Sequence, residues 1–333
     1  VTGPADNPPD GAPGPADEFD TIACLLRPLT GGAPEALGLL DDAAVLPARP
    51  GCDLVITKDM IVEGVHFLAS DPLDLVARKL LRVNLSDLAA KGARPYAYFL
   101  AISWSPRCGW PQREAFAAGL KTEQDAFGLV LLGGDTTSTP GPLTASATLL
   151  GWVAAGGAVL RSGARAGDAL LVSGVVGDGW LGLQAALGRA QAPAALQRYR
   201  LPEPRVVLAP ALAFAHACAD VSDGLIADAG RLALASGLAA HIELERVPLS
   251  AEGRAHVVGA PHPSSALIDL VTGGDDYELV CAAAPEQAPR LIAAARAAGV
   301  DMTVIGHFAQ GQGAHAWREG RPVDLRRQGY RHI

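Results

Sequence analysis

Short apolar runs along this chain repeatedly end in aspartate. Leu37–Leu40 runs into Asp41 and Asp42, and Leu54–Thr57 into Lys58 and Asp59. Leu129–Leu132 leads to Gly133, Gly134 and Asp135, and Ala219–Ser222 carries Asp220 and ends at Asp223. Leu270–Thr272 leads to Gly273, Gly274, Asp275 and Asp276. An apolar run bounded by turn residues reads as a buried strand. Helical patterns alternate with these runs through both halves, so the fold class is α/β and α+β. Aspartates at the ends of several strands can meet at one spot. Carboxylates that meet repel each other, so a cluster of them at neutral pH calls for cations.

The stretch Leu80–Pro95 sharpens this reading. Leu73, Val76, Leu80 and Val83 form a helical stripe, Asp71 and Pro72 suit its start, and Gly92 suits its end. Asn84 and Asp87 share a face beside that stripe, where a carboxylate is costly unless paired or metal-bound. Lys91, one turn on, is an ordinary salt-bridge partner for Asp87, and this alternative stays open. Oxygen donors without a Cys/His pattern favour Mg²⁺ over zinc, and Mg²⁺ held by a few carboxylates usually shares its shell with phosphate oxygens. The residues therefore point to a Mg²⁺-dependent site for a phosphorylated nucleotide.

The chain's 333 residues suggest about two domains, with the boundary just before the turn-rich Arg161–Asp168. The division expected is a disordered, Pro- and Gly-rich tail at 1–17, an N-terminal domain at 18–158 and a C-terminal domain at 159–333. A net charge of -8 argues against a nucleic-acid or membrane-surface partner. No run is long and apolar enough to span a membrane. Cys24, Cys52, Cys108, Cys218 and Cys281 are scattered, as reduced thiols of a cytoplasmic protein would be.

Several smaller features remain. His66 reads equally as a hydrogen-bonded core histidine or as a ligand contact. In Gly133-Gly134-Asp135-Thr136-Thr137 the two glycines would let backbone approach a ligand closely, with a plain turn as the alternative reading. Ser222 and Asp223 are natural N-cap residues for the helix running to Ala235, although a helix start also suits phosphate. Pro202–Ala217 reads as a Pro-punctuated helix, and Trp317–Val323 as a hairpin turning at Glu319-Gly320. The chain contains no Walker A, H-E-x-x-H or G-x-S-x-G sequence.

Taken together, Asp41–Val45, Thr57–Phe67, Asn84–Ala90, Gly133–Thr137, Arg161–Ala164, Ser222–Leu225 and Gly273–Leu279 resemble the thiamine-monophosphate kinase family. They stand in that family's order from about Glu18 to Tyr330. The family is related to aminoimidazole ribonucleotide synthetase and selenophosphate synthetase, which handle ATP without a P-loop. The resemblance implies a two-domain aminoimidazole-ribonucleotide-synthetase-like fold whose N-terminal domain pairs into a barrel across a homodimer. It implies direct in-line transfer of the γ-phosphoryl group of ATP to thiamine monophosphate, giving thiamine diphosphate. The acceptor is already an anion, so no catalytic general base is implied.

By the same resemblance, Asp42, Thr57, Lys58 (through its backbone), Asp59, Asp87, Asp135, Asp220 and Asp223 match metal-contact positions, with several Mg²⁺ ions expected. Gly134, Asp135, Arg161 and Ser222 match ATP contacts. His66, Asp275 and Arg327 match thiamine-phosphate contacts. Leu40, Lys58, Lys91, Asp275 and Arg327 differ from the residues usual at their positions. Two alternatives remain: ATP activation of another acceptor, and a silent binding module. The first is disfavoured because Val1–Phe19 has no cysteine and the chain ends Tyr-Arg-His-Ile. The second is disfavoured by the retained aspartates.

Overall fold

The computed structural model describes residues 18–325 and 327–330, and the expected tail at 1–17 lies outside the described residues. Two compact units make up the chain. The first comprises residues up to Pro47, Met60–Arg78 and Ala97–Ala147. The second comprises Ala48–Asp59, Lys79–Tyr96 and everything from Thr148 onward.

The chain enters through one turn of helix, α1 (Glu18–Asp20), continued by a wider turn to Leu26 and a 3-10 turn to Thr30. Strand β1 (Cys52–Val62) alternates along its length. Val55, Thr57, Asp59 and Ile61 lie on the better buried face, and Leu54, Ile56, Lys58 and Met60 on the exposed one. Helix α2 (Leu73–Ala90) follows the expected stripe, with Val76, Leu80 and Val83 buried and Leu81, Leu85 and Leu88 adding a second buried row. Gly92 ends it at φ +69°, a left-handed turn that glycine takes without strain. Full burial of each such leucine stabilises by about 2 kcal/mol.

Strands β2 (Arg94–Trp104) and β3 (Val130–Ser138) are parallel, joined through helix α3 (Trp110–Phe127) as a parallel crossover requires. With β1 and β4 (Thr144–Ala154) they form a four-stranded sheet in the order β1-β4-β2-β3. The sheet is open, and the described residues of one chain close no barrel.

The second unit holds a seven-stranded sheet, ordered β11-β10-β7-β9-β5-β8-β6. Its elements in chain order are β5 (Ala169–Ser173), α4 (Asp178–Ala186), α5 (Pro193–Arg200), β6 (Ala217–Asp220), α6 (Leu225–Ala235), β7 (Ala239–Glu243), α7 (Ala251–Gly259), α8 (Pro263–Thr272), β8 (Leu279–Ala283), α9 (Ala288–Ala297), β9 (Met302–Ala309), β10 (Gly313–Arg318) and β11 (Arg321–Val323). On one face, Leu225, Ile226, Ala229 and Leu232 of α6 pack on Ala240, Ile242, Phe308 and Ala314. On the other, Leu291 and Ala295 of α9 pack with Leu171, Cys281 and Ala283. The β10–β11 hairpin turns between Arg318 and Arg321 as its sequence indicates.

Several local expectations are overturned. Leu270–Thr272 ends helix α8 instead of forming a strand; Pro263 at its start and Leu267, Leu270 and Val271 at helical spacing outweigh the short apolar run. Leu37 and Leu39 bend through positive φ in a 3-10 segment, so no strand precedes Asp41. Pro202–Ala217 breaks into two 3-10 turns before β6, because proline removes N–H donors that a continuous helix needs. Gly133–Thr137 lies inside β3, paired to Phe99–Ser103, and is not a turn. A Cβ at Gly134 would stand 1.8 Å from the Leu100 carbonyl oxygen, so glycine here permits strand pairing.

Candidate active site

In the second unit, α2 and β1 are locked together by Asn84. Its side-chain oxygen accepts the Asp59 N–H at 3.0 Å, and its amide donates to the Leu80 carbonyl at 2.9 Å. Asn84 is fully buried, so both bonds satisfy groups that water cannot reach. The clamp sets Thr57 and Asp59 beside Asp87, and the Thr57 hydroxyl donates to Asp87 Oδ2. Lys91 does not pair with Asp87 as the helical spacing suggested. Its Nζ donates to the Cys218 carbonyl at 3.0 Å, and burial holds its pKa below the usual lysine value.

Asp220 ends β6, and Ser222 and Asp223 form the turn into α6. Neither Ser222 nor Asp223 caps that helix; Gly224 stands at the cap position, at φ +121°. The carboxylate of Asp228, from the first turn of α6, reaches back instead. Its Oδ2 accepts the N–H groups of Ser222 (3.0 Å) and Asp223 (2.9 Å). The segment Gly273–Glu278 is pinned to this turn, with Asp275 N donating to Ser222 O and Tyr277 N to Val221 O, each at 2.8 Å. Asp275 and Tyr277 both have positive φ, a strained conformation for non-glycine residues that the pinning holds in place.

The electrostatics join these pieces into one cluster. Burial, then the charges of Asp87 and Asp223, push the Asp59 carboxyl up to about 6. Burial, then Asp87 and Asp228, push Asp220 well above the usual range. The structure therefore brings Thr57, Asp59, Asp87, Asp220, Ser222 and Asp223 together. Among the described residues, no three carboxylate, imidazole or thiolate groups are already arranged to hold a metal ion. Present partners explain part of this, since Asp87 takes the Thr57 hydroxyl and Asp223 pairs with Arg231.

The other predicted residues of this unit lie around the cluster or apart from it. Lys58 is on the opposite face of β1, its Nζ 3.4 Å from the Thr148 hydroxyl. Arg161 is exposed, and its charge helps lower the Lys91 pKa. Asp275 receives the Lys79 ammonium at 2.9 Å and the Tyr277 hydroxyl at 3.1 Å. Arg327 pairs with Asp269 of α8 at 3.5 Å. Asp276 is half-buried and accepts the N–H groups of Gly177 (2.9 Å) and Gly179 (3.1 Å). It is thus an anchor for the glycine-rich turn after β5.

The first unit gathers a second set. A cavity of about 660 Å³ is lined by Asp41, Asp42, Gly134 and Asp135, with Ile22, Leu26, Leu39 and Phe99 as apolar wall. Asp42 and Asp135 are exposed to solvent. His66 lies apart from that lining, and its Nδ1 accepts the Val62 N–H at 3.1 Å, which leaves the ring proton on Nε2.

Sequence reasoning missed Lys79, Asp228 and Arg231. Lys79 looked like an ordinary helix residue, but its side chain is 3% exposed and it faces Asp275. Asp228 had a weak signal, an acidic residue in the first turn of a helix that follows an aspartate motif.

Residues 40–153 match the AIR synthase related protein N-terminal domain, and residues 165–317 match its C-terminal domain. A thiamine-monophosphate kinase of Caulobacter vibrioides is 55% identical over 324 residues, covering 96% of this chain and 92% of the relative. The chain belongs to the thiamine-monophosphate kinase family. The crystal structure of a thiamine-monophosphate kinase from Stenotrophomonas maltophilia K279a aligns with a TM-score of 0.80 at 37% identity, covering 91% of this chain and 97% of that one. AaThiL, complexed with AMPPCP and TMP, aligns with a TM-score of 0.75 at 29% identity, covering 86% and 89%. The family membership agrees with the resemblance carried by the aspartate motifs.

Proposed function

We propose that this chain transfers the γ-phosphoryl group of ATP directly to thiamine monophosphate, forming thiamine diphosphate. Family membership and the AMPPCP and TMP held by AaThiL support this substrate pair. The observation that carries the residue assignment is the gathering of Asp59, Asp87, Asp220 and Asp223, with Asp59 and Asp220 pushed upward by burial and mutual repulsion. A cluster of hard oxygen donors at that electrostatic cost fits Mg²⁺. We assign the cations to Asp42, Thr57, the Lys58 backbone, Asp59, Asp87, Asp135, Asp220 and Asp223. When bound, Mg²⁺ supplies charge neutralisation for two phosphate groups and aligns their oxygens.

The chain's own groups do the rest. Gly134, Asp135, Arg161 and Ser222 are assigned to ATP. The exposed Arg161 guanidinium can fork onto phosphate, and Gly134 brings backbone close without a side chain. His66, Asp275 and Arg327 are assigned to thiamine monophosphate. With Nδ1 occupied by the Val62 N–H, His66 offers Nε2–H to a phosphate oxygen. Lys79 and Tyr277 orient the Asp275 carboxylate. The Arg327 guanidinium is half-exposed beside Asp269. The accepting oxygen already carries negative charge, so no side chain has to remove a proton and in-line attack needs only alignment.

We further propose domains at 18–158 and 159–333 and a homodimer whose N-terminal strands complete a barrel. Support comes from β1, an 11-residue strand at the edge of its sheet. It exposes Ile56 (60%) and Met60 (53%), an apolar face suited to a second copy. The described cysteines are free thiols, as a cytoplasmic location requires.

The test is incubation with ATP, Mg²⁺ and thiamine monophosphate, following thiamine diphosphate by thiochrome fluorescence. Product that depends on all three supports the proposal. No product from folded protein that binds ATP refutes it.

A further inference from the structure

The Asp223 carboxylate already has a cationic partner. Arg231, two turns along on α6, pairs its Nη2 with Asp223 Oδ2 and places Nη1 2.5 Å from Asp228 Oδ1. Asp228 has its other oxygen on the backbone N–H groups of Ser222 and Asp223. The Asp223 backbone, Asp228, Arg231 and the Asp223 carboxylate thus form a closed ring. The members differ in exposure. The Asp228 side chain is 1% exposed, Asp223 26% and Arg231 42%. Asp228 is therefore a fixed anchor, while the Arg231–Asp223 pair is partly solvated and weak. The Asp223 carbonyl also accepts the Tyr330 N–H at 2.8 Å, so the turn stays in place if the side-chain pair opens.

We propose that Arg231 is a displaceable counter-ion for Asp223. It neutralises the carboxylate while no cation is bound, and a divalent cation must break this pair to take Asp223. Asp228 is the positioning residue that keeps the turn and the guanidinium in register. Arg231 thereby sets a threshold for cation occupancy at this carboxylate. The inference rests on the assignment of Asp223 as a cation ligand in the proposed function.

The probe is Mn²⁺ alone, with free Mn²⁺ read by electron paramagnetic resonance, so turnover is not involved. Arg231→Ala is expected to tighten Mn²⁺ binding about fivefold, the scale of one partly solvated ion pair. The gain should vanish when Asp223→Asn is made in both backgrounds. Thermal melting checks that each variant is folded, which the exposure of Arg231 favours. Unchanged or weaker affinity in Arg231→Ala overturns the proposal. So does an equal gain in the Asp223→Asn background, which would mark a general charge effect. Wild-type protein with no saturable Mn²⁺ binding would overturn the function assignment together with this inference. Binding by wild type with no Arg231 effect would overturn the inference alone.

Discussion

Replacing Asp59 with asparagine should stabilise the cation-free protein. Asp59 is pushed from its ordinary 3.8 to about 6 by burial, then by Asp87 and Asp223. A raised carboxyl costs nothing at low pH, where folded and unfolded chains are both protonated. As pH rises above 3.8 the unfolded chain releases its proton while the folded one keeps it, so stability falls until pH passes about 6. Above that the full cost stands, up to about 3 kcal/mol. Relaxation within the cluster reduces it, since a proton on Asp220 relieves part of the same repulsion. Asp59→Asn removes the charge and keeps the size, and the Asp59 backbone N–H bond to Asn84 does not involve the altered group. Urea unfolding with EDTA is therefore expected to show a gain of about 1 to 3 kcal/mol near pH 8 that disappears near pH 4. Added Mg²⁺ should raise the wild-type midpoint more than the variant's. A variant as stable as wild type at both pH values, or less stable at pH 8, would refute the reasoning.

Asp87→Asn should lower thiamine diphosphate formation by at least about a hundredfold, while the urea midpoint is kept or raised. The thiochrome assay and unfolding curves check the two halves. Asn84→Ala removes the partner of the Asp59 N–H inside a buried site and should cost about 2 to 3 kcal/mol in urea unfolding. Gly134→Ala places a Cβ 1.8 Å from the Leu100 carbonyl oxygen, so it should separate β2 from β3 locally and lower the melting temperature.

The sequence carried much of this account, and its failures have physical causes. Helix α2 was legible because its apolar stripe is long and its terminal glycine needs a left-handed turn. The β10–β11 hairpin was legible from its turn signal at Glu319-Gly320. Leu270–Thr272 was misread because three apolar residues fit a strand or a helix end equally, and only Pro263 settles it. Gly133–Thr137 was misread because the signal for a turn, paired glycines, also serves where two strands approach too closely for a Cβ. Among candidate site residues, the convergence of Asp59, Asp87, Asp220 and Asp223 was inferred from repetition of one pattern. The contacts that orient them were not visible. Asp228 and Arg231 act on Ser222 and Asp223 through a helix start, and Lys79 meets Asp275 across 196 positions of sequence. No local spacing encodes such a pair.

The proposed phosphoryl transfer stands on these carboxylates holding divalent cations. The most direct measurement is an anomalous difference map from crystals grown with Mn²⁺ and a non-hydrolysable ATP analogue. Manganese peaks are expected within oxygen-ligand distance of Asp59, Asp87, Asp220 and Asp223, with Arg231 turned away from Asp223. Clear nucleotide density with no manganese at any of these carboxylates would contradict it.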